Sequence, residues 1–209
     1  MFFRCLPVGV LQSNCYIIAC LETHEACVID PGSQGDLIQS VIEKNNLKVK
    51  YILNTHGHPD HIGANWYIKE KTNALLYIHK DDLSHLRKPL PMPYPDSDMR
   101  PSPEPDGFLE EGKDIIIGTI TLKIIETPGH SPGGVCILAD QKLITGDTLF
   151  AGTIGRTDLL GGSMDTLMNS IKTKLFPLND SLEVLPGHGP SSTLGYEKKY
   201  NPFLSKLTP

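Results

Sequence analysis

No stretch of this chain is both long and apolar enough to span a bilayer, and the opening Met1-Phe2-Phe3 is interrupted by Arg4 and Pro7 before an apolar export core can develop. A membrane partner and an export signal are therefore not expected, and the cytoplasm is the expected compartment. A basic surplus is also missing. The chain has 19 Lys and Arg against 24 Asp and Glu, a net charge of −5, so it lacks the electrostatic footprint of a nucleic-acid binder. Its five cysteines are odd in number and none stands in a CxxC pair, which argues for reduced, buried thiols rather than a disulfide framework. No Pro-, Gly- or Ser-rich linker divides the 209 residues, and one domain over 1–209 is expected.

What the chain does have is a run of short apolar segments punctuated by turn residues. Phe2 to Val8, Asn14 to Cys20 and Glu25 to Ile29 read as three strands, closed by the turn Asp30-Pro31-Gly32. Leu37, Ile38, Val41 and Ile42 form one stripe of a helix ending near Asn46, and Val49 to Asn54 reads as the next strand. A helix over Ile62 to Lys71 and a strand over Leu75 to His79 complete a βββ-αβ-αβ order. Seven prolines at 89, 91, 93, 95, 101, 103 and 105 forbid a helix or regular ladder through 86–106, which reads as a long, stiff loop and a candidate substrate wall. Arg100 within it is a candidate contact for an anionic substrate. Farther on come a hairpin (114–117 with 120–125), strands over 135–139 and 142–145, a helix around 164–176, a short strand at Val184-Leu185 and a last helix over 196–207 interrupted at Pro202. Strand-rich halves with interspersed helices predict an α/β layered sandwich.

The chemistry concentrates in Thr55-His56-Gly57-His58-Pro59-Asp60-His61, where four of seven residues can bind a metal. Three other segments share one design, an apolar strand followed by Gly and one ligand-type residue: Pro128-Gly129-His130, Thr145-Gly146-Asp147 and Pro186-Gly187-His188. Together they supply five His and two Asp. A single catalytic zinc takes about three protein ligands plus water, so this set suits two divalent ions. His56, His58 and His130 would hold one, Asp60, His61 and His188 the other, with Asp147 bridging. Such ions, about 3.5–4 Å apart, would share a hydroxide generated at neutral pH. Zinc is the first expectation; imidazole and carboxylate accept iron and manganese as well. Asp60 is also a candidate proton donor to a leaving group. Asp30 reads either as a turn carboxylate or as support for a metal ligand from behind.

His56-x-His58-x-Asp60-His61 with His130, Asp147 and His188 resembles the metallo-β-lactamase superfamily. That resemblance covers nearly the whole chain and implies a four-layer αββα sandwich with a dinuclear site at the sheet edges. Through Phe150-Ala151-Gly152-Thr153-Ile154-Gly155-Arg156-Thr157-Asp158 and Asn201-Pro202-Phe203-Leu204 the chain is similar to the glyoxalase II group, especially its short bacterial members. The resemblance implies hydrolysis of a small-molecule thioester, S-2-hydroxyacylglutathione such as S-lactoylglutathione. It implies substrate binding at Arg156, where longer members carry Lys, and at Asp158, where they carry Tyr; the alternative for Arg156 is a structural ion pair with Asp158 or another carboxylate. Those longer members also add a basic C-terminal helical region, whereas this sequence stops at Pro209. Two alternatives follow: a persulfide dioxygenase using one iron held by two His and one Asp, and hydrolysis of another ester or thioester. β-Lactam hydrolysis is disfavoured, because best-known lactamases place Cys where Asp147 stands. Neither composition nor motif sets the oligomeric state.

Overall fold

Apolar runs that cannot be satisfied on one face alone dictate a sheet covered on both sides. The computed structural model describes residues 1–89, 91 and 98–204. Strands β1 (Phe2–Val8), β2 (Ser13–Ala19) and β3 (Glu25–Ile29) form an antiparallel meander. Helix α1 (Gly35–Lys44) then crosses to β4 (Lys48–Leu53), parallel to β3. Two short helices, α2 (Pro59–Ile62) and α3 (Asn65–Thr72), lead to β5 (Leu75–Ile78), α4 (Leu83–Arg87) and the edge strand β6 (Gly107–Phe108). The first sheet thus has the order β1-β2-β3-β4-β5-β6.

The second half repeats the logic. It contains β7 (Ile115–Ile117), β8 (Ile120–Glu126), β9 (Val135–Ala139), β10 (Lys142–Gly146), a small hairpin of β11 (Leu149–Phe150) with β12 (Thr153–Ile154), and α5 (Met164–Ser170). The helix widens into a π-type turn over Ile171–Leu175 before β13 (Glu183–Pro186), β14 (Ser192–Thr193) and α6 (Leu194–Tyr200). The second sheet runs β14-β13-β10-β9-β8-β7.

The period-2 rule of strands sorts the core into three apolar layers. Tyr16 and Ile18 of β2 point between the sheets, onto Leu122, Ile124, Ile137 and Ile144 of the second. Cys15 and Ile17 point the other way, onto Ile38 and Ile42 of α1 and Ile68 of α3. On the far side Leu143 and Val184 pack against Leu167, Ile171 and Leu175 of the α5 segment and Leu194 of α6. This is the four-layer αββα sandwich, and strands buried on both faces explain why β2 and β3 read as continuous apolar runs. Among the described residues no helix is long and apolar enough to cross a membrane.

Three expected elements change. The helix over 62–71 is split at Gly63-Ala64 and begins earlier, with Pro59 in its first turn, so Asp60 and His61 sit on a helix rather than in a loop. The last helix covers 194–200 and stops ahead of Asn201-Pro202; the expected continuation over 205–207 lies outside the described residues. The proline loop's 90 and 92–97 also lie outside them, and its described beginning contains α4 up to Arg87.

The intersheet layer should dominate stability. Ile18 is fully buried there, and Ile18→Ala is expected to lower the unfolding free energy by about 2–5 kcal/mol in urea titration. Leu37→Ala, on the exposed side of α1, should change it by less than about 0.5 kcal/mol.

Candidate metal centre

Each ligand segment follows the C-terminal end of a strand. The His56–His61 motif follows β4, Thr127–His130 follows β8, Gly146-Asp147 ends β10, and Gly187-His188 follows β13. Strands β8 and β10 are both antiparallel to β9, and β13 is parallel to β10, so the second sheet delivers its three segments at one edge. There they meet the motif from the first sheet. Sheet-to-sheet bonds fix the meeting: Asn14 N–H donates to Gly187 O at 2.7 Å, the Asn14 side-chain amide to Pro186 O and Gly189 O, and the Tyr16 hydroxyl to Pro186 O at 2.6 Å.

The seven predicted ligands come together. Donor atoms of His56, His58 and His130 lie within 4.8 Å of one another, as do those of Asp60, His61 and His188. His58 Nδ1 is 2.9 Å from His130 Nε2, and His61 Nε2 is 3.3 Å from His188 Nε2. Asp147 stands between the groups, Oδ2 3.5 Å from His130 Nε2 and Oδ1 3.5 Å from His61 Nε2. Gly187 makes this approach possible, because a Cβ there would fall 2.1 Å from Asp147 Oδ1. Asp30, His56 and His61 are also within mutual reach, but the Asp30 oxygens are already engaged. They accept from the Thr55 amide at 2.7 Å and the Thr55 hydroxyl at 2.6 Å, and one lies 3.1 Å from His61 Nδ1. Asp30 therefore orients His61 from behind, from a left-handed backbone conformation (φ 51°) that strains a non-glycine residue.

Four of the five imidazoles are oriented through the nitrogen that faces away from the cluster. Besides Asp30 on His61, the Thr55 hydroxyl meets His56 Nδ1 at 3.1 Å, Arg156 O meets His130 Nδ1 at 2.7 Å and Leu11 O meets His188 Nδ1 at 3.1 Å. His56 Nε2 and Asp147 Oδ1 are buried without a hydrogen-bond partner. Orphaned donor atoms converging from imidazoles and carboxylates are what a cation would satisfy, so the residues fit a divalent metal centre.

Protonation differs between the halves. Burial, reinforced by the neighbouring imidazoles, holds His56 well below the usual histidine range and His58 at about 4. For His61 burial also works against the charged form, but Asp60 and Asp147 outweigh it and raise the ring to about 10. Burial would raise the Asp60 carboxyl, yet His61 and His188 hold it well below the usual carboxylate range. Ser13 adds a hydroxyl to the same carboxylate at 2.8 Å.

A cavity of about 410 Å³ opens over the cluster, walled by Leu11, Pro59, Pro91, Phe150 and Leu159 and with Arg156 at its edge. The two residues expected to bind substrate are paired with each other. Arg156 donates to both Asp158 oxygens at 2.7 Å, and that guanidinium draws the Asp158 carboxyl down to about 2. Arg100 is not at this cavity; its guanidinium lies 4.0 Å over the Trp66 ring, beside a separate 250 Å³ hollow. Pro91 is the proline-loop residue that does reach the wall.

Ser13, Asn14, Asp82 and Glu197 are participants that sequence reasoning missed. Each is a lone polar residue whose partner is distant in sequence, so no spacing announces it. Glu197 is fully buried and accepts from the Gly152 amide at 2.8 Å, while Asn201 donates to Thr153 O at 3.0 Å. Together they hold the β11–β12 hairpin that presents Phe150.

Comparison with known proteins agrees with this geometry. The model of the Metallo-beta-lactamase superfamily matches residues 8–195. The hydroxyacylglutathione hydrolase GloC of Haemophilus influenzae is 36% identical over 213 residues, covering 98% of this chain and 99% of that protein. The crystal structure of BLEG-1 B3 metallo-beta-lactamase superposes with a TM-score of 0.89 at 36% identity, over 98% of this chain and 100% of that one. TTHA1623 in a di-iron-bound form superposes with a TM-score of 0.85 at 33% identity, over 96% of this chain and 100% of that one.

The unequal protonation predicts unequal proton release. At pH 7 His56 and His58 are already neutral, whereas His61, raised to about 10, must lose its proton before it can coordinate. Calorimetric zinc titration in buffers of different ionisation enthalpy should show more protons released on filling the Asp60/His61/His188 half, whose two imidazoles are both raised, than on filling the half that contains His56 and His58. As pH falls through about 4, where His58 protonates, the His56/His58/His130 half should lose its ion as well.

Proposed function

The chain belongs to the metallo-beta-lactamase superfamily, and from that premise we propose a metal-dependent hydrolase of thioesters, with S-2-hydroxyacylglutathiones such as S-lactoylglutathione first among them. The observation that carries this reading is the convergence of five imidazoles and two carboxylates beneath a mostly apolar cavity. The full-length similarity to a hydroxyacylglutathione hydrolase supports the choice of substrate.

His56, His58 and His130 would hold one divalent ion and Asp60, His61 and His188 the other, with Asp147 shared. Bound there, such ions lower the pKa of water toward neutrality and stabilise negative charge on a carbonyl oxygen. Zinc, iron and manganese all suit the donors.

The chain's own groups set what this centre can cleave. Asp60 accepts the Ser13 hydroxyl and stays ionised, which makes it an acceptor rather than an acid poised to protonate a leaving group. The expected proton-donor role would need a protonated carboxyl, whereas His61 and His188 favour its charged form. A thiol of pKa about 8.5 departs as thiolate without such help, whereas an amine or alkoxide would need it. Leu11, Phe150 and Leu159 offer an apolar wall to the acyl portion and keep bulk water from the reacting carbonyl. Arg156, bound to Asp158, brings a guanidinium to the cavity edge, where it can meet a carboxylate of the thiol portion only in competition with Asp158.

A second reading, β-lactam hydrolysis by the same centre, is favoured by the full-length match to BLEG-1. A mononuclear iron dioxygenase accounts less well for Asp60, His61 and His188 being arranged as a second donor group.

Purified protein loaded with zinc or iron should release thiol from S-lactoylglutathione and lose that activity on chelation. His130→Ala should lower turnover by more than about 100-fold, since even outer partners of metal ligands are worth about 10- to 100-fold. A panel with non-glutathione thioesters and a β-lactam separates the readings. Absence of thioester turnover by metal-replete protein contradicts the proposal, and β-lactam turnover alone selects the second reading.

A further inference from the structure

Outside the residues that line the cavity lies a buried carboxylate that the chemistry above does not use. Asp82 is fully buried, in the turn that leads into α4. Its Oδ2 accepts the Gly57 amide at 2.8 Å and its Oδ1 accepts the Gly133 amide at 2.6 Å. Gly57 lies between His56 and His58, and Gly133 three residues after His130. One carboxylate thus ties the loop carrying two ligands of the first half to the loop carrying the third. Resting on the metal-centre reading, we propose that Asp82 is a positioning residue that sets the separation of His56 and His58 from His130, and thereby the affinity of that half of the centre for its ion.

Three observations converge on this. A buried carboxylate is retained only where it is well bonded, and charge-assisted bonds to two backbone amides are short and directional, which suits them to fixing loops rather than merely filling space. The fit around Gly57 is tight: a Cβ there would stand 2.7 Å from His85 Cβ and 3.0 Å from Asp82 O, so the motif's glycine is required by the Asp82–His85 turn. His85 continues the support. Its Nδ1 is 3.6 Å from Asp82, its Nε2 meets Leu160 O at 3.1 Å, and its ring lies 5.6 Å from that of His58. The turn therefore backs His58, whose Nε2 is the one outward imidazole nitrogen of the cluster without a hydrogen-bond partner of its own. The two amides bound by Asp82 flank His58 and follow His130, so the tie concerns one half of the centre.

The test is metal affinity, which needs no substrate. Wild type, Asp82→Ala and Asp82→Asn are titrated with zinc against a chromophoric chelator, and with cobalt to record ligand-field spectra. Asp82→Ala removes both acceptors and should weaken one of two zinc equivalents by about 10- to 100-fold, with the other unchanged and the cobalt spectrum of the weakened half altered. Asp82→Asn keeps one acceptor oxygen and should fall between. Melting of the metal-free proteins isolates any general loss of stability. Both variants binding as wild type overturns the inference, as does a proportional weakening of both equivalents. Should Asp82→Ala fail to fold, Asp82→Asn decides by the same criterion. A wild type that takes up no zinc or cobalt overturns the metal-centre reading and this inference together, whereas loss of thioester turnover with intact metal binding touches only the proposed function.

Discussion

Everything at the active edge depends on one constraint: seven nitrogen and oxygen donors are packed together where they cannot all satisfy one another. A buried polar atom without a partner costs about 1–3 kcal/mol, and His56 Nε2 and Asp147 Oδ1 are two such atoms. The scaffold tolerates this because two sheets, each covered by helices, make a rigid sandwich whose strand ends meet. Bonds from Asn14 and Tyr16 to the segment 186–189 lock one sheet's edge to the other's. A cation relieves what the protein alone leaves unsatisfied, so metal binding and site order are coupled.

The two halves are built differently, and the difference has chemical consequences. His56, His58 and His130 form an all-imidazole group in which burial keeps His56 and His58 neutral. Asp60, His61 and His188 carry a carboxylate of their own, a second carboxylate behind them in Asp30, and a proton on His61 that a metal must displace. One half would thus accept an ion at neutral pH without losing a proton from His56 or His58, whereas the other would exchange a proton for one. Above them, the wall residues of the cavity come from elements distant in sequence, with Phe150 presented by a hairpin that Glu197 and Asn201 pin from α6 and its end. Asn201, the first residue of the Asn201-Pro202-Phe203-Leu204 segment, thereby has a physical role in that clamp.

Much of this was legible in the sequence because it is local. The ligand segments announce themselves by Gly beside His or Asp after an apolar run, and doubly buried strands announce themselves as continuous apolar stretches such as 14–20. The split between α2 and α3 was missed because Gly63-Ala64 interrupts an otherwise helical pattern without a proline. The short strands β6, β11, β12 and β14, two residues each, carry no periodicity at all. Asp82, Ser13 and Glu197 were illegible for another reason: their partners lie 51, 47 and 45 residues away, and only the folded chain brings them together. Arg156 and Asp158 stand two residues apart, so an ion pair between them is as legible in the sequence as a substrate role, and the side-chain geometry shows the pair formed.

The arrangement on which the rest stands is two groups of ligands that would hold two ions side by side. Anomalous diffraction from crystals of the metal-loaded protein, recorded at the metal's absorption edge, tests it most directly. The account predicts two peaks about 3.5–4 Å apart, one among His56, His58 and His130, the other among Asp60, His61 and His188, with Asp147 between them. A single peak, with Asp60, His61 and His188 uncoordinated, would contradict it.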